Sequence, residues 1–154
     1  MNRLAATTLI ALLAFHGVPA EASDTAEGSD AVQGALDGME FVARIDVDAY
    51  DTPFEDRQVF ANGTMFSEEC QRRCDFGAHP YFTRVEGDSI AFVSDMSCLD
   101  APQSVRWEGR VTGDRIEGTA HWTVKRFYWT VERFATFSGQ LVPANEAQAS
   151  VRSE

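Results

Sequence analysis

Between residues 40 and 141 the sequence alternates apolar and polar side chains with a strictness that few architectures accommodate. Phe41, Ala43, Ile45, Val47 and Ala49 share one parity, and Glu40, Arg44, Asp46 and Asp48 share the other. A period of two sends successive side chains to opposite faces of a strand, so each such segment has one dry face and one wet face. The pattern recurs most clearly in the second half. Val105, Trp107, Gly109 and Val111 alternate with Ser104, Arg106, Glu108 and Arg110, and Ile116, Gly118, Ala120, Trp122 and Val124 alternate with Glu117, Thr119, His121, Thr123 and Lys125.

Turn signals divide this region into eight strands, expected at 40–49, 57–61, 64–70, 81–85, 90–96, 104–111, 116–125 and 131–141. Asn62-Gly63 supplies a two-residue hairpin turn, since both residues tolerate positive φ at low cost. Glu86-Gly87-Asp88 and Thr112-Gly113-Asp114-Arg115 are turn signals of the same kind. No helical period is long enough to cover a sheet. An open meander of eight strands leaves two bare edges and an uncovered apolar face. Closure into an all-β, antiparallel up-and-down barrel removes both. Inward-parity glycines at 109, 118 and 139 suit the crowded interior of a small barrel. A β-sandwich is the alternative, because strand spacing alone does not separate the two.

In such a meander the connections alternate between ends. The three tight turns fall at one end, and the longer connections at 50–55, 71–80, 98–103 and 125–130 fall at the other. The loop end gathers Cys70, Cys74, Cys98, His79, Pro80, Tyr81 and the run Phe127-Tyr128-Trp129. Consecutive aromatics do not all face inward from one strand, so this run either contacts a partner or folds back over the barrel mouth. Cys74, on the long loop, is placed to reach Cys98. A Cys70–Cys98 bridge is the second choice, and Cys70–Cys74 closes a very small ring. One thiol remains over. A reactive Cys70, with Arg72 and Arg73 lowering its pKa, is the sharper alternative to a structural role.

The ends of the chain read differently. Met1-Asn2-Arg3, an apolar run to Phe15 and the small-x-small pattern Ala20-Glu21-Ala22 make a secretory signal peptide over residues 1–22. The apolar run is too short to span a bilayer, which takes about 20 residues. The expected address is secreted or periplasmic after cleavage near Ala22, with no membrane anchor. Residues 23–36 read as a flexible arm with a helical turn near its end. Residues 37–142 form the barrel domain, and 143–154 a disordered tail. Export permits a disulfide. The chain carries 24 acidic against 13 basic residues and a formal net charge of −11. That balance disfavours nucleic acid and anionic lipid as partners, and suits a basic protein partner.

Catalytic signatures are absent. There is no Gly-x-Ser-x-Gly elbow, no EF-hand spacing and no phosphate loop, and two histidines beyond the leader leave a metal site without ligands. Glu68 and Glu69 are adjacent and would face opposite ways on a strand. No cofactor is implied. Whether the chain is an enzyme stays open, with a binding role favoured.

The hairpin WEGRVTGDRIEGTAHW (Trp107 to Trp122), the segment FANGTMFSEEC (Phe60 to Cys70) and the ending FSGQL (Phe137 to Leu141) resemble small secreted proteobacterial proteins of unknown function read as lipocalin-like, or calycin-like, barrels. The resemblance covers roughly residues 36–141. It implies a barrel and a secreted or periplasmic address, and carries no catalytic residues. Where that family usually has a tyrosine-glycine-phenylalanine stretch after the equivalent of Cys70, this chain has Cys74-Asp75-Phe76-Gly77.

Two functions follow as expectations. In the first, the barrel binds a small apolar or amphipathic ligand, lined by Phe41, Phe92, Trp107, Trp122 and Phe137, with Tyr81 and Trp129 near the mouth. The same side chains could instead simply fill the barrel. In the second, the chain is an acidic interaction or inhibitor module for a basic exported enzyme.

Overall fold

A computed structural model describes residues 34–143. The expected signal peptide, most of the arm and nearly all of the tail lie outside the described residues. Eight antiparallel strands close into one barrel in the order β1-β2-β3-β4-β5-β6-β7-β8, and the sandwich alternative falls. The strands are β1 (Glu40–Val47), β2 (Phe54–Ala61), β3 (Thr64–Ser67), β4 (His79–Glu86), β5 (Ser89–Ser97), β6 (Gln103–Thr112), β7 (Arg115–Lys125) and β8 (Thr130–Leu141). Closure is made by β1 against β8, with Ala43 opposite Gly139 and Ile45 opposite Phe137. The period-two reading therefore holds across the whole meander.

Four boundaries differ from expectation by two residues or more, one of them the start of β4 at His79 rather than Tyr81. β1 stops at Val47, and Ala49 is exposed in the following turn. β2 begins at Phe54, which extends its inward parity back through Asp56 and Gln58. The third strand ends at Ser67, where a short helix, α1 (Glu68–Cys74), replaces the expected strand to Cys70. Ser67 is its N-cap, accepting a hydrogen bond from the Cys70 N–H at 3.1 Å. Glu68 and Glu69 in the first turn, with Arg72 and Arg73 in the last, complement the helix dipole. Polar residues that look like strand alternation are thus a cap and a charge-matched turn. The two glutamates do not oppose each other across a strand: Glu69 is buried and Glu68 exposed.

The tight-turn end is sealed. Asn62 and Gly63 have φ of 53° and 71°, the paired positive values of the expected hairpin turn. Residues 34–39 cross beneath this end and drive Leu36 fully into the interior, so the packed unit starts before the expected boundary at 37. Tyr81, expected near the mouth, is fully buried at this sealed end. Its hydroxyl donates to Asp37 Oδ1 at 2.9 Å and accepts from the Leu36 N–H at 2.8 Å. The shear of the barrel carries β4 past the 62–63 turn, and the Tyr81 N–H donates to the Gly63 carbonyl.

Above Leu36 the interior is filled by aromatic rings. Phe60 meets Tyr81, Phe92 and Phe41 edge-on at centroid distances of 5.0, 5.2 and 6.1 Å, and Trp107 meets Phe137 at 5.3 Å. These rings fit because Gly109 and Gly118 face each other across β6 and β7. A Cβ on Gly118 would sit 2.2 Å from the Glu108 carbonyl oxygen and 2.6 Å from the Phe137 ring. Backbone cannot yield there as a flexible side chain can. Gly118→Ala is expected to lose more than about 3 kcal/mol of stability in urea unfolding, while Thr119→Ala on the wet face changes it by less than about 0.5 kcal/mol. Equal stabilities for the two variants would show that the seam tolerates a side chain.

Candidate functional site

Toward the loop end the aromatic packing stops and a cavity opens. The cavity measures about 60 Å³, the liquid volume of about two waters. Its walls are apolar: Ile45, Val47, Phe54, Val105, Ala120 and Ala135, with the rings of Trp107 and Trp122. α1 and the loop behind it lie over the barrel wall and supply Cys70, Arg73 and the buried Phe76. The Cys74–Cys98 disulfide ties the end of α1 to the end of β5, with the two Cα atoms 5.7 Å apart. This is the first-choice pairing, and Cys70 is the thiol left over. His79 fastens the same loop, its Nε2 lying 2.8 Å from the Phe76 carbonyl oxygen.

A polar cluster underlies one wall. Asp56 is buried, and its two oxygens accept hydrogen bonds from the Ser67 hydroxyl at 2.8 Å and from the Glu69 N–H at 2.9 Å. The carboxylate is thereby the hinge pin between β2 and the start of α1. Burial nonetheless pushes its pKa up to about 6, against the opposing pull of these hydrogen bonds. The fully buried Gln58 amide lies beside it without reaching full hydrogen-bond geometry. Glu69 is neutralised by Arg72 and by Arg73, the latter at 2.6 Å. Arg73 also sits over the rings of Phe54 and Tyr50, at 5.1 and 5.6 Å from their centroids.

Cys70 is buried, where the thiolate form is disfavoured. Burial pushes its thiol up to about 12, and the carboxylates of Asp56 and Glu69 reinforce the shift. Arg72 and Arg73, expected to activate it, are engaged by Glu69 instead. The Trp107 indole N–H faces the thiol, which is a poor acceptor, and the Trp122 Nε1 is buried with no partner.

The seven expected lining residues are thus divided. Trp107 and Trp122 line the cavity. Phe41, Phe92, Phe137 and Tyr81 are packed in the filled interior. Trp129 lies outside the barrel, 62% exposed at the β7–β8 tip beside Phe127 and Tyr128. Reading the sequence missed Asp56, Gln58, Ser67 and Arg133. Each lies on the inward parity of its strand, where a polar residue looks like an interruption. Extending the parity of Phe60 back to Phe54 would have placed Asp56 and Gln58 inside, and the parity of Phe137 and Ala135 places Arg133 there too.

The raised pKa of Asp56 has a definite sign. The folded state binds this proton more tightly than the unfolded state, whose carboxyl titrates near 3.8. Its contribution is therefore fully present below about pH 4 and is lost as pH rises through 6. Asp56→Asn should gain on the parent chain by roughly 2 kcal/mol between pH 4 and 7.5, read as the difference in unfolding free energy. A difference that stays constant with pH, or runs the other way, would remove the buried carboxyl from the stability profile.

No family model matches the chain, and no solved structure matches it. A dITP/XTP pyrophosphatase of Corynebacterium glutamicum (strain R) is 33% identical over 78 residues. The match takes in 50% of this chain and 35% of that enzyme, so the chain spans about a third of the relative's length. A match of that extent establishes no family. Among the described residues no three His, Cys, Asp or Glu side chains converge on one point, and no helix is long and apolar enough to cross a membrane.

Proposed function

We propose that this chain is an exported binding protein whose barrel mouth takes a small apolar or amphipathic ligand. The observation that carries the reading is the apolar cavity at the loop end, between Trp107, Trp122 and the disulfide-tied α1. The Cys74–Cys98 bridge supports export, since such bonds persist in oxidising compartments. The closed barrel and the bridge also agree with membership of the secreted proteobacterial proteins that the sequence resembles. The filled lower interior limits the ligand: about 60 Å³ is less than half of the roughly 150 Å³ that encloses a benzene ring, so only the end of an apolar group seats inside and the rest lies in the mouth. Small neutral lipophiles such as hexanol and toluene should quench or shift the intrinsic fluorescence of Trp107 and Trp122 with a saturable dependence on concentration. A panel that leaves the emission unchanged would sink the ligand-binding reading.

A second reading has its own observation. Phe127 and Tyr128 are 91% and 82% exposed at the β7–β8 tip, and Leu99 on the neighbouring loop is 78% exposed. A hydrogen bond of 2.8 Å from the Lys125 N–H to the Pro102 carbonyl holds the two loops side by side. Such an apolar tip on an acidic barrel suits contact with a basic protein, in keeping with an interaction or inhibitor module. Binding to an exported basic enzyme such as a lysozyme should weaken between low and high salt, and should weaken further on Tyr128→Ser. Absence of binding at every salt concentration counts against it.

A further inference from the structure

The turn between β7 and β8 stands clear of the barrel and is apolar. The β1–β8 ladder stops at Val47 opposite Ala135, and the β6–β7 ladder stops at Gln103 opposite Val124. The β7–β8 ladder runs on to Lys125 opposite Thr130, so the turn beyond it overshoots both neighbouring strands. A hydrogen bond of 2.8 Å from the Arg126 N–H to the Trp129 carbonyl closes that turn. It presents Phe127, Tyr128 and Trp129, all exposed, and Leu99 is exposed on the loop that Lys125 holds alongside. The Phe127 and Tyr128 rings meet edge-on at a centroid distance of 4.6 Å. Their exposure shows that the aromatic run does not fold back over the barrel mouth.

The charge at the base of this tip runs against that of the whole chain. Lys125 and Arg126 are both exposed and make no ion pair among the described residues. Rings with a polar edge, an aliphatic side chain and adjacent cations are what a lipid–water boundary accommodates. The ring bodies sit where the acyl chains begin, and the Lys and Arg heads reach the phosphates. A basic protein, the partner in the second reading, would meet these two cations with like charge. We infer that the 126–129 turn, with Leu99 beside it, inserts into the interface of a phospholipid bilayer of low net charge. A strongly anionic leaflet is disfavoured, because the chain's net charge of −11 opposes its approach. The docked end is the end that holds the cavity, so insertion brings the barrel mouth to the bilayer. The inference stands on the tip and does not require the cavity to hold a ligand.

Phosphatidylcholine vesicles with brominated acyl chains test it, because bromine quenches a tryptophan that enters the bilayer. Trp107 and Trp122 lie within the barrel and Trp129 at the tip, so quenching in the full chain reads the tip. Emission should fall saturably with lipid and the effect should persist at high salt, as an apolar contact does. Trp129→Phe should remove the quenching while the chain still floats with the vesicles. Phe127→Ser combined with Tyr128→Ser should weaken partition by at least about tenfold. All three side chains are exposed, and urea unfolding of each variant checks that the barrel is intact. Emission of the parent chain that ignores the lipid overturns the inference, as does quenching that survives Trp129→Phe. Capture by a basic protein with no effect of vesicles overturns it too, and returns the tip to the second reading.

Discussion

The close approach of β6 and β7 at Gly109 and Gly118 is the constraint on which the rest of the interior depends. Without side chains there, the two backbones and the rings of Phe92 and Phe137 share a volume that one added methyl on Gly118 would overfill. Gly139 does the same against Ala43 at the closure between β1 and β8. The aromatic hub around Phe60 then occupies the middle of the barrel, and Leu36 and Tyr81 close it below. Because this packing consumes the lower interior, any functional space is pushed to the loop end. The position of the cavity is a consequence of where the glycines stand.

What forms that loop end is of a different kind. Hydrophobic packing builds the sealed end; the open end is organised by polar contacts and one covalent bond. Asp56 receives hydrogen bonds from both the cap residue and the first turn of α1, Glu69 gathers Arg72 and Arg73, and Cys74–Cys98 anchors the helix to β5. A helix of seven residues has little stability of its own. Its place over the barrel wall is imposed by these ties. Closing a loop by a disulfide typically contributes about 2–4 kcal/mol, largely by restricting the unfolded chain. The buried carboxyl works against that gain above pH 6.

The barrel was legible in the sequence because its determinants are local and repetitive. Strict alternation on β1, β6 and β7 and the turn at Asn62-Gly63 each report one element, and sequential hairpins leave few ways to connect them. The preferred disulfide was legible for the same reason, through strand order and loop length. The site was only half legible. Trp107 and Trp122 follow the alternation and were found; Tyr81 follows it too, but the shear that carries β4 down to the sealed end is a property of the closed sheet and of no single strand. Asp56, Gln58 and Arg133 are harder still. A polar residue on a dry parity is indistinguishable from the end of a strand until its partners are known, and the partners of Asp56 come from the cap and first turn of α1, whose own residues mimic alternation.

The anion and the cation that break the alternation differ in what holds them. Asp56 and Arg133 both break the apolar parity, at β2 and β8 respectively. Asp56 is explained internally: it orders the start of α1, and two hydrogen bonds repay part of its desolvation. Arg133 orders nothing comparable, since its described contact is to the adjacent carbonyl. Arg133 lines the cavity with its hydrocarbon stem, while its guanidinium meets an exposed carbonyl at the rim.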